Sequence, residues 1–336
     1  MNKFDKLINA ASSHYKEKIL INLSPNEGYR SRCEFGYKNN FYVMYDKSKK
    51  VYLYTFLKAT KYISNLMPLL LDEINSNDII KQKLFQINFR SNNIGNVIVS
   101  LIYHQQITDK LIQQINLLAN KLSIQIILRA KNELYKTSDK NFYDRIEEHK
   151  ITLTQTDYSF YQPNSYLLKR MISKVNSMIE DQNDLMELYC GVGTFTLPLS
   201  KKFNKVFATE NNRSSLRCLQ ESISFNKINN ISFSRLSDIE VSELLNGRKF
   251  NRMNDIDINS FNFSHVLVDP PRSGMNSSLI EVIKKFTYII YVSCNPNSFF
   301  RDIEQLKRFK IIDLEAYDQF PSTQHLEIIC LLKKTP

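Results

Sequence analysis

Residues 184–195 read DLMELYCGVGTF. The first six are mostly apolar and predict a buried strand, and Gly191 and Gly193 then permit a tight turn into a helix. Glu210 follows directly after the next predicted strand, residues 205–209. A carboxylate at the tip of this second strand can accept hydrogen bonds from a ribose diol, so the unit predicts a nucleotide-binding site.

The glycine turn also indicates which nucleotide is bound. A dinucleotide-binding turn has a third glycine close behind the second, but Thr196 and Leu197 stand at the corresponding positions. A turn without the third glycine suits the nucleoside of S-adenosylmethionine better than the pyrophosphate of a dinucleotide. We therefore predict S-adenosylmethionine as the cofactor. The alternative is a strand, turn and helix whose glycines serve only the turn.

Strands and helices alternate through the rest of the C-terminal part, which is typical of a parallel sheet covered by helices. The predicted fold class is therefore α/β. After strand 184–189 we predict helices ending near Phe203 and spanning 214–226, strands at 205–209, 231–235, 265–268 and 288–292, and a closing antiparallel pair at 310–317 and 326–332.

The N-terminal part predicts a smaller, mixed α+β domain. Its patterns indicate strands at 41–45, 51–54, 97–103 and 124–128, helices at 66–75 and 109–122, and a lysine-rich turn at 46–50. We expect domains at 1–160 and 161–336, with the boundary somewhere within 140–165.

The charge of the chain is unevenly distributed. The formal net charge is +11 at pH 7. Residues 1–150 hold 23 Lys and Arg against 14 Asp and Glu, whereas residues 151–336 hold 22 against 20. The basic excess therefore belongs to the N-terminal domain and favours binding to a phosphate backbone. The alternative is a solvated lysine surface, because lysine is abundant throughout the chain.

The five cysteines form no CxxC pair; they stand at 33, 190, 218, 294 and 330. This pattern argues against a disulfide framework, a zinc ribbon and a cysteine-ligated iron–sulfur cluster, so we predict neither a metal nor a cluster. The polar residues 1–6 and the lack of a long apolar stretch predict a cytoplasmic protein without membrane contact.

Side chains that can act as a nucleophile or as a base lie at the ends of three apolar runs. Cys294 follows residues 288–292, and Asp269 follows residues 265–268. Ligands bind at the carboxyl ends of the strands in such a sheet, so thiol and carboxylate should face one crevice. Glu327 lies near the start of the last run, where burial would raise its pKa toward that of a general base. The alternatives are an inert, packed cysteine and a glutamate paired with lysine.

These groups suit methylation of the C5 carbon of uracil, which is a poor nucleophile. A thiolate that adds to C6 creates an enolate, and C5 can then take a methyl group. A base must next remove the C5 proton so that the thiolate can leave. Cys294 and Glu327 are the candidates for these two roles.

Three motifs resemble those of the RNA 5-methyluridine methyltransferases: LYCGVGTF at 188–195, VDPPRSG at 268–274 and YVSCNP at 291–296. The resemblance extends over nearly the whole chain and includes residues 30–35, 159–164, 250–253 and 318–321. Within this family the chain is most similar to the bacterial tRNA (uracil-5-)-methyltransferases, which modify uridine 54 of the T loop. The resemblance implies a Rossmann-like class I methyltransferase domain preceded by an RNA-binding domain.

The resemblance also implies roles for individual residues. Cys294 is the nucleophile and Glu327 the base, and the S-adenosylmethionine site comprises Gln162, Tyr189, Thr194, Glu210 and Asp269. The chain departs from the family at Thr194, where Asn is frequent, and at Gln324, where a second His is frequent.

The implied partner is the T arm of tRNA, with tRNA-like RNAs as further candidates and no obligate protein partner. The uridine must leave its stack to react, at a cost of roughly a few kcal/mol. Candidate RNA contacts are Arg30, Arg32, Arg90 and His104; solvated surface charges or a satisfied core histidine are the alternatives.

Two other functions are weighed against tRNA methylation. An rRNA enzyme of the same family commonly carries a four-cysteine iron–sulfur site, and only Cys33 precedes the catalytic domain here. A non-catalytic RNA-binding or tRNA-folding factor would not need both Cys294 and Glu327.

Overall fold

The structure is a computed structural model that describes residues 2–46 and 48–336. In these residues the helices are α1 (Lys3–Ala11), α2 (Lys61–Asn75), α3 (Asp78–Lys81), α4 (Asp109–Leu122), α5 (Ser165–Ser177), α6 (Thr196–Leu199), α7 (Arg213–Phe225), α8 (Asp238–Leu245), α9 (Ser277–Ile283) and α10 (Pro296–Gln305). The strands are β1 (Leu20–Asn22), β2 (Arg32–Lys38), β3 (Phe41–Asp46), β4 (Lys49–Leu53), β5 (Leu84–Ser91), β6 (Val97–Tyr103), β7 (Gln125–Ala130), β8 (Glu133–Lys136), β9 (Phe142–Ile146), β10 (Ile151–Gln155), β11 (Asp184–Leu188), β12 (Val206–Thr209), β13 (Ile231–Ser234), β14 (Phe263–Val268), β15 (Tyr288–Ser293), β16 (Phe309–Tyr317) and β17 (Glu327–Lys334).

The N-terminal part is built on a seven-stranded sheet in the order β4-β3-β2-β5-β6-β7-β8. Neighbouring strands are antiparallel except β6 and β7, which α4 connects as a parallel pair. Helices α2 and α4 share one apolar cluster with this sheet. The mixed α+β prediction is confirmed, as are strand 97–103 and helix 109–122 at their predicted bounds. Lys47, in the predicted lysine-rich turn, lies outside the described residues.

Helix α2 begins at Lys61, five residues before the predicted start. The difference arises at Pro68, which lies inside the helix and not in its first turn. Proline has no N–H to bond the carbonyl four residues earlier, that of Ser64. This carbonyl accepts a hydrogen bond from the Thr55 hydroxyl at 2.8 Å instead, so the helix can continue through the proline.

The C-terminal part is built on an eight-stranded sheet in the order β1-β16-β17-β15-β14-β11-β12-β13. The five strands from β15 to β13 run parallel, and β17 is antiparallel to both of its neighbours. Two apolar clusters lie on the two faces, one formed with α5 and α7 and the other with α1, α9 and α10. The α/β prediction and the closing antiparallel pair are confirmed.

The helices of this part differ from the prediction. Helix α6 ends at Leu199, because the N–H of Lys202 bonds to the Leu199 carbonyl at 2.8 Å and turns the chain toward β12. Helices α8, α9 and α10 were not predicted. Each begins with a polar N-cap, and the Ser237–Glu240 capping box at α8 is a start signal that the sequence carries.

The first residues of the chain join the C-terminal sheet. Strand β1 pairs in parallel with β16, with Leu20 opposite Glu315, and α1 packs beside α10. Residues 3–22 therefore contact the sheet from which the N-terminal domain separates them in sequence. The division into domains near residue 160 stays a prediction. Along residues 2–46 and 48–336, no helix is long and apolar enough to span a membrane.

Candidate active site

Strand pairing places the candidate nucleophile and base beside each other. Strands β15 and β17 are antiparallel, and Ser293 pairs with Ile328. Cys294 directly follows Ser293 and Glu327 directly precedes Ile328, so both flank this last pair at the same end of the two strands. The charge of Glu327 contributes to the raised pKa of the Cys294 thiol, as expected for neighbouring groups.

Three further candidates lie at the same edge of the sheet. The last residues of β14, β11 and β12 are paired in register with one another. The residues that follow these strands are Asp269, Tyr189 and Glu210. Parallel strands thus bring together carboxylates and a phenol that are far apart in sequence, as the strand-end argument predicts.

Cys294 is half-buried, whereas Cys33, Cys190, Cys218 and Cys330 are buried. Burial and, after it, the charges of Glu327 and Asp269 raise the pKa of the Cys294 thiol to about 11, and Arg272 opposes them. The resting thiol is therefore protonated at neutral pH. A bound substrate or cofactor that adds positive charge would lower this pKa.

We expect an alkylating reagent such as iodoacetamide to modify Cys294 first, because it is the accessible thiol of the five. The rate should rise with pH up to about 11, since the thiolate is the reactive form. Peptide mapping after partial modification measures this. Equal labelling of buried Cys33 would contradict it, and Cys294→Ala provides the background rate.

Glu327 is 5% exposed and begins β17. Burial raises the pKa of its carboxyl group well above the ordinary value, Asp269 adds to the increase, and Arg272 opposes it. A carboxyl group with a raised pKa is a stronger base once ionised. Glu327 is thus a buried carboxyl group that can act as a general base beside Cys294.

Asp269 connects this pair to the nucleotide side of the site. Burial raises the pKa of its carboxyl group, and the charge of Glu210 raises it further. Glu210, Asp269 and Glu327 thus form a row of interacting carboxylates, which favours a cationic or hydrogen-bond-donating ligand between them. In the described ranges, no three or more His, Cys, Asp or Glu side chains are grouped so that they could hold a metal ion.

The segment after Asp269 is held by Asp302 of α10, which is fully buried. Its carboxylate accepts hydrogen bonds from the N–H of Met275 and the hydroxyl of Tyr291, both at 2.8 Å. A Cβ atom at Gly274, where φ is +78°, would lie 2.5 Å from Asp302 Oδ2. Residue 274 must therefore be glycine for this segment to reach α10.

The glycine turn and Glu210 are joined directly. The N–H of Gly191 donates to Glu210 Oε2 at 3.1 Å, and that of Asn212 donates to Oε1 at 2.7 Å. Gly193 has a φ of +90°, and a Cβ there would lie 2.5 Å from a methyl group of Leu219. Glu210 is thus held at the turn, where a ribose would lie against the backbone.

Tyr189 has a left-handed backbone with a φ of +59°. Its hydroxyl donates to Asp238 at 3.2 Å, and Asn276 donates to the same carboxylate oxygen at 2.7 Å. Asp238, which sequence reasoning missed, therefore fixes the phenol beside the glycine turn. Thr194 and Gln162 are both buried; Thr194 belongs to the turn, and Gln162 to the segment before α5.

Glu187 is a second residue that sequence reasoning missed. It lies within β11, directly beneath the site, and is 1% exposed. Burial raises the pKa of its carboxyl group to about 8, so it is largely protonated at neutral pH. A glutamate inside the apolar run 184–188 was the available signal.

Arg30 lies at the junction of the two parts of the chain. Its guanidinium lies 5.4 Å from the ring centre of Phe320, in the loop before β17, and its Nε donates to the Arg32 carbonyl. Ser31 donates its N–H to Pro163 at 2.8 Å. Arg32 is paired with Glu34 at 2.8 Å. An RNA contact by either arginine stays a prediction.

Arg90 does not have the expected surface position. It is 4% exposed, and its guanidinium donates to Ser159 O at 2.6 Å, to Ser159 Oγ at 3.0 Å and to the Thr156 carbonyl. The structure thus corrects the prediction of a direct RNA contact. Arg90 ties the segment before Gln162 to the N-terminal sheet, because burial of a guanidinium requires such partners.

His104 is exposed and stacks on Phe85, with ring centres 4.2 Å apart and planes 18° apart. Phe85 is 48% exposed. The exposed ring of Tyr158 lines the same cleft as His104, and the guanidinium of the partly buried Arg129 lies 3.8 Å from the centre of this ring. Exposed aromatic rings can stack on an unpaired base.

The chain was compared with known proteins. A family model described as tRNA (Uracil-5-)-methyltransferase matches residues 1–335. A Campylobacter lari protein named tRNA/tmRNA (uracil-C(5))-methyltransferase is 38% identical over 327 residues, which cover 94% of this chain and 93% of that protein. An Acinetobacter baumannii protein of the same name is 35% identical over 349 residues, which cover 99% and 97%.

A solved structure of the Pyrococcus abyssi tRNA (uracil-54, C5)-methyltransferase, in complex with S-adenosyl-L-homocysteine, has the same fold. It superposes with a TM-score of 0.79 at 22% identity and covers 98% of this chain and 81% of that chain. The family resemblance deduced from the motifs is confirmed by the match over residues 1–335. The chain belongs to the tRNA (uracil-5-)-methyltransferase family.

Proposed function

We propose that this protein methylates the C5 carbon of a uridine in tRNA, at position 54 of the T loop, with S-adenosylmethionine as the methyl donor. The observation that carries the proposal is the pairing of β15 with β17, which brings Cys294 and Glu327 to the same end of the two strands. Thiol and base are needed on the same uracil ring, one at C6 and the other at C5.

The cofactor would lie over the glycine turn. Glu210 is placed to accept hydrogen bonds from the ribose, and Tyr189, Thr194, Gln162 and Asp269 surround the same space. The Pyrococcus abyssi relative was solved with S-adenosyl-L-homocysteine, the product of methyl donation. The carboxylates of Asp269 and Glu210 suit a ligand with a sulfonium and an amino group, and S-adenosylmethionine supplies the methyl group as an electrophile.

The residues of the chain act in sequence on the uracil. Cys294 first loses its proton to solvent, and the thiolate adds to C6. The electron pair of the C5–C6 double bond forms an enolate that attacks the methyl group through C5, while the bond from that methyl group to the sulfonium breaks and S-adenosyl-L-homocysteine leaves. Glu327 then takes the proton from C5, the double bond re-forms, and the thiolate leaves C6. The proton gained by Glu327 is lost to solvent before the next cycle.

RNA would be held largely by the N-terminal domain. Residues 1–150 carry nine more positive than negative charges, as 23 Lys and Arg stand against 14 Asp and Glu. The exposed Phe85–His104 stack can support a base while the target uridine is flipped out. The names of the relatives include tmRNA, and we include tRNA-like RNAs among the substrates. We place the reaction in the cytoplasm, without an obligate protein partner.

Incubation with labelled S-adenosylmethionine and unmodified tRNA tests the proposal, with rRNA fragments offered in parallel. We expect label in 5-methyluridine at position 54 and none in a tRNA with cytidine at that position. Label in the rRNA fragments alone would favour the rRNA function. RNA binding without any transfer would favour a folding factor.

Glu210→Gln should weaken S-adenosyl-L-homocysteine binding by roughly 10–100-fold, which corresponds to about 1.5–3 kcal/mol for hydrogen bonds to a charged group. The glutamine amide can accept with one oxygen but no longer carries the charge. Isothermal titration calorimetry measures the change. Glu304→Gln, at an exposed position of α10, is the matched control and should bind normally.

A further inference from the structure

Helix α1 forms one wall of the pocket that contains Cys294. The pocket has a volume of about 350 Å³ and is lined from α1 by Lys3, Lys6, Leu7 and Ala10. The other walls consist of Arg272, residues 294–297 and residues 324–326. The first turns of the chain thus share a pocket with the proposed nucleophile.

Helix α1 is fixed in this place by its apolar face and its cap. Leu7 and Ala11 are each 1% exposed and belong to the same apolar cluster as Phe300 of α10. The ring of His14 stacks on Phe300, with ring centres 5.6 Å apart. Asn2 caps the helix through the N–H groups of residues 4 and 5. Because α10 begins two residues after Cys294, α1 is positioned relative to the site.

Lys3 ties α1 to the loop that leads to the base. Its buried ammonium group lies 2.6 Å from Asp318 Oδ1 and also donates to the carbonyls of Phe320 at 3.3 Å and His325 at 3.4 Å. These residues lie at both ends of the loop between β16 and β17, which ends at Glu327. All three N–H donors of Lys3 are used, so Lys3 is a positioning residue.

Lys6 lies in the next turn of α1 and, unlike Lys3, has an ammonium group that is open to a ligand. It is exposed, it faces the pocket, and it takes part in none of the ion pairs of the described residues. Across the pocket lies Arg272, whose Nη2 is 3.5 Å from Nε2 of His325. The carboxylates of Glu327 and Asp269 lie close enough to Cys294 to raise the pKa of its thiol.

This distribution of charge matters to a polyanion. A uridine that enters the pocket brings its own phosphates to the rim, and the carboxylates near Cys294 repel them. A cation at the rim offsets this repulsion, and its pairing with a phosphate releases counterions from the RNA. The ammonium of Lys6 is held at the rim because the backbone of α1 is fixed.

We propose that Lys6 contacts a backbone phosphate of the RNA strand that delivers the uridine to Cys294, and that Lys3 holds α1 and the loop 318–326 in the geometry this contact needs. The inference rests on the proposed function, since it concerns the same RNA. It assigns part of the RNA-binding surface to α1, which packs beside α10 of the C-terminal part.

The test of Lys6 uses the full-length Lys6→Gln variant and unmodified tRNA at several salt concentrations. We expect several-fold weaker binding and a slope of log K against log salt that is smaller by about one, the effect of losing one phosphate contact. In steady-state kinetics the loss should be seen in KM for tRNA more than in kcat.

Lys202→Gln is the matched control. Lys202 is equally exposed but precedes β12, at the amino end of the parallel strands and away from the site. An unchanged salt slope in Lys6→Gln would overturn the inference while the wild type still methylates tRNA. A wild type that transfers no methyl group would instead remove the proposed function, so the two failures are distinguishable.

The test of Lys3 separates positioning from simple stability. Lys3→Met should lower Tm, because it leaves Asp318 buried without its partner, and should lower kcat without changing the salt slope. The double variant Lys3→Met/Asp318→Asn removes both charges and should recover Tm but not kcat. Recovery of both would reduce Lys3 to a structural ion pair and overturn its positioning role.

Discussion

Replacement of Cys294 by alanine is expected to abolish methyl transfer and the covalent capture of RNA, with a loss of at least about 10⁴-fold in activity. Alanine lacks the thiol that must add to C6, and the other four cysteines are buried. RNA binding should remain largely intact, because the change is small and lies away from the basic N-terminal domain. Incorporation of labelled methyl groups and the RNA adduct on a denaturing gel provide the two measurements.

Cys218→Ala is the matched control for this variant. Burial raises the pKa of the Cys218 thiol to about 11, as it does for Cys294, but Cys218 is packed in α7 away from the strand ends. Its loss should leave methylation close to the wild-type rate. Methylation by Cys294→Ala would remove the covalent mechanism, whatever the control does.

Replacement of Glu327 by glutamine should stop the reaction after methyl transfer, so that the Cys294–RNA adduct accumulates. The amide fills the same space beside Cys294 but cannot take the C5 proton, and loss of a general base typically costs about 10²–10⁴-fold. The adduct should carry the methyl label, which a gel of the denatured complex reveals. Normal turnover by this variant would assign the proton transfer to another group; Glu304→Gln is again the control.

The pH dependence of the wild type follows from the raised pKa of Glu327. The base acts when ionised, so turnover should rise with pH through this pKa. The fraction of Cys294 in the reactive thiolate form also grows with pH. Glu327→Gln should lose the part of the profile that belongs to the carboxyl group. A profile of the variant that matches the wild type would contradict the assignment.

The same shift predicts a change in stability. The folded state holds the Glu327 proton more tightly than the unfolded chain, so stability falls as pH rises above the ordinary pKa of 4.5. Glutamine has no proton to lose. The Tm of Glu327→Gln should therefore equal that of the wild type near pH 4 and exceed it by a few degrees near pH 8.

The candidate site at the carboxyl edge of the sheet was predictable from the sequence because its strands are apolar runs with abrupt polar ends. Val292 to Cys294 and Val268 to Asp269 are transitions of this kind, and the rule that ligands bind at carboxyl strand ends brings the two together. Glu327 was recognisable as a carboxylate at the start of a buried strand. The resemblance supplied Gln162 and Tyr189, which no pattern marks.

What the sequence did not reveal depends on long-range packing. The sequence of α1 does not reveal that this helix forms a wall of the pocket. An amphipathic helix with two lysines can pack its apolar face on many different surfaces. Arg90 resembled a surface cation but is an internal tie to Ser159, since hydrogen-bond partners distant in sequence make its burial tolerable. Short helices such as α9, with seven residues, give too few turns for a periodic pattern.

The pairing of β1 with β16 has a consequence for how this protein is made. Leu20 meets Glu315 almost three hundred residues later, so β1, the outermost strand of the C-terminal sheet, is synthesised long before the strand with which it pairs. Contacts of such sequence separation carry a large loop-closure entropy and slow the folding of a chain. During synthesis the N-terminal sheet can form first, while residues 3–22 stay unpaired until β16 has been made. The C-terminal sheet becomes complete only when residues 20–22 have paired with residues 315–317.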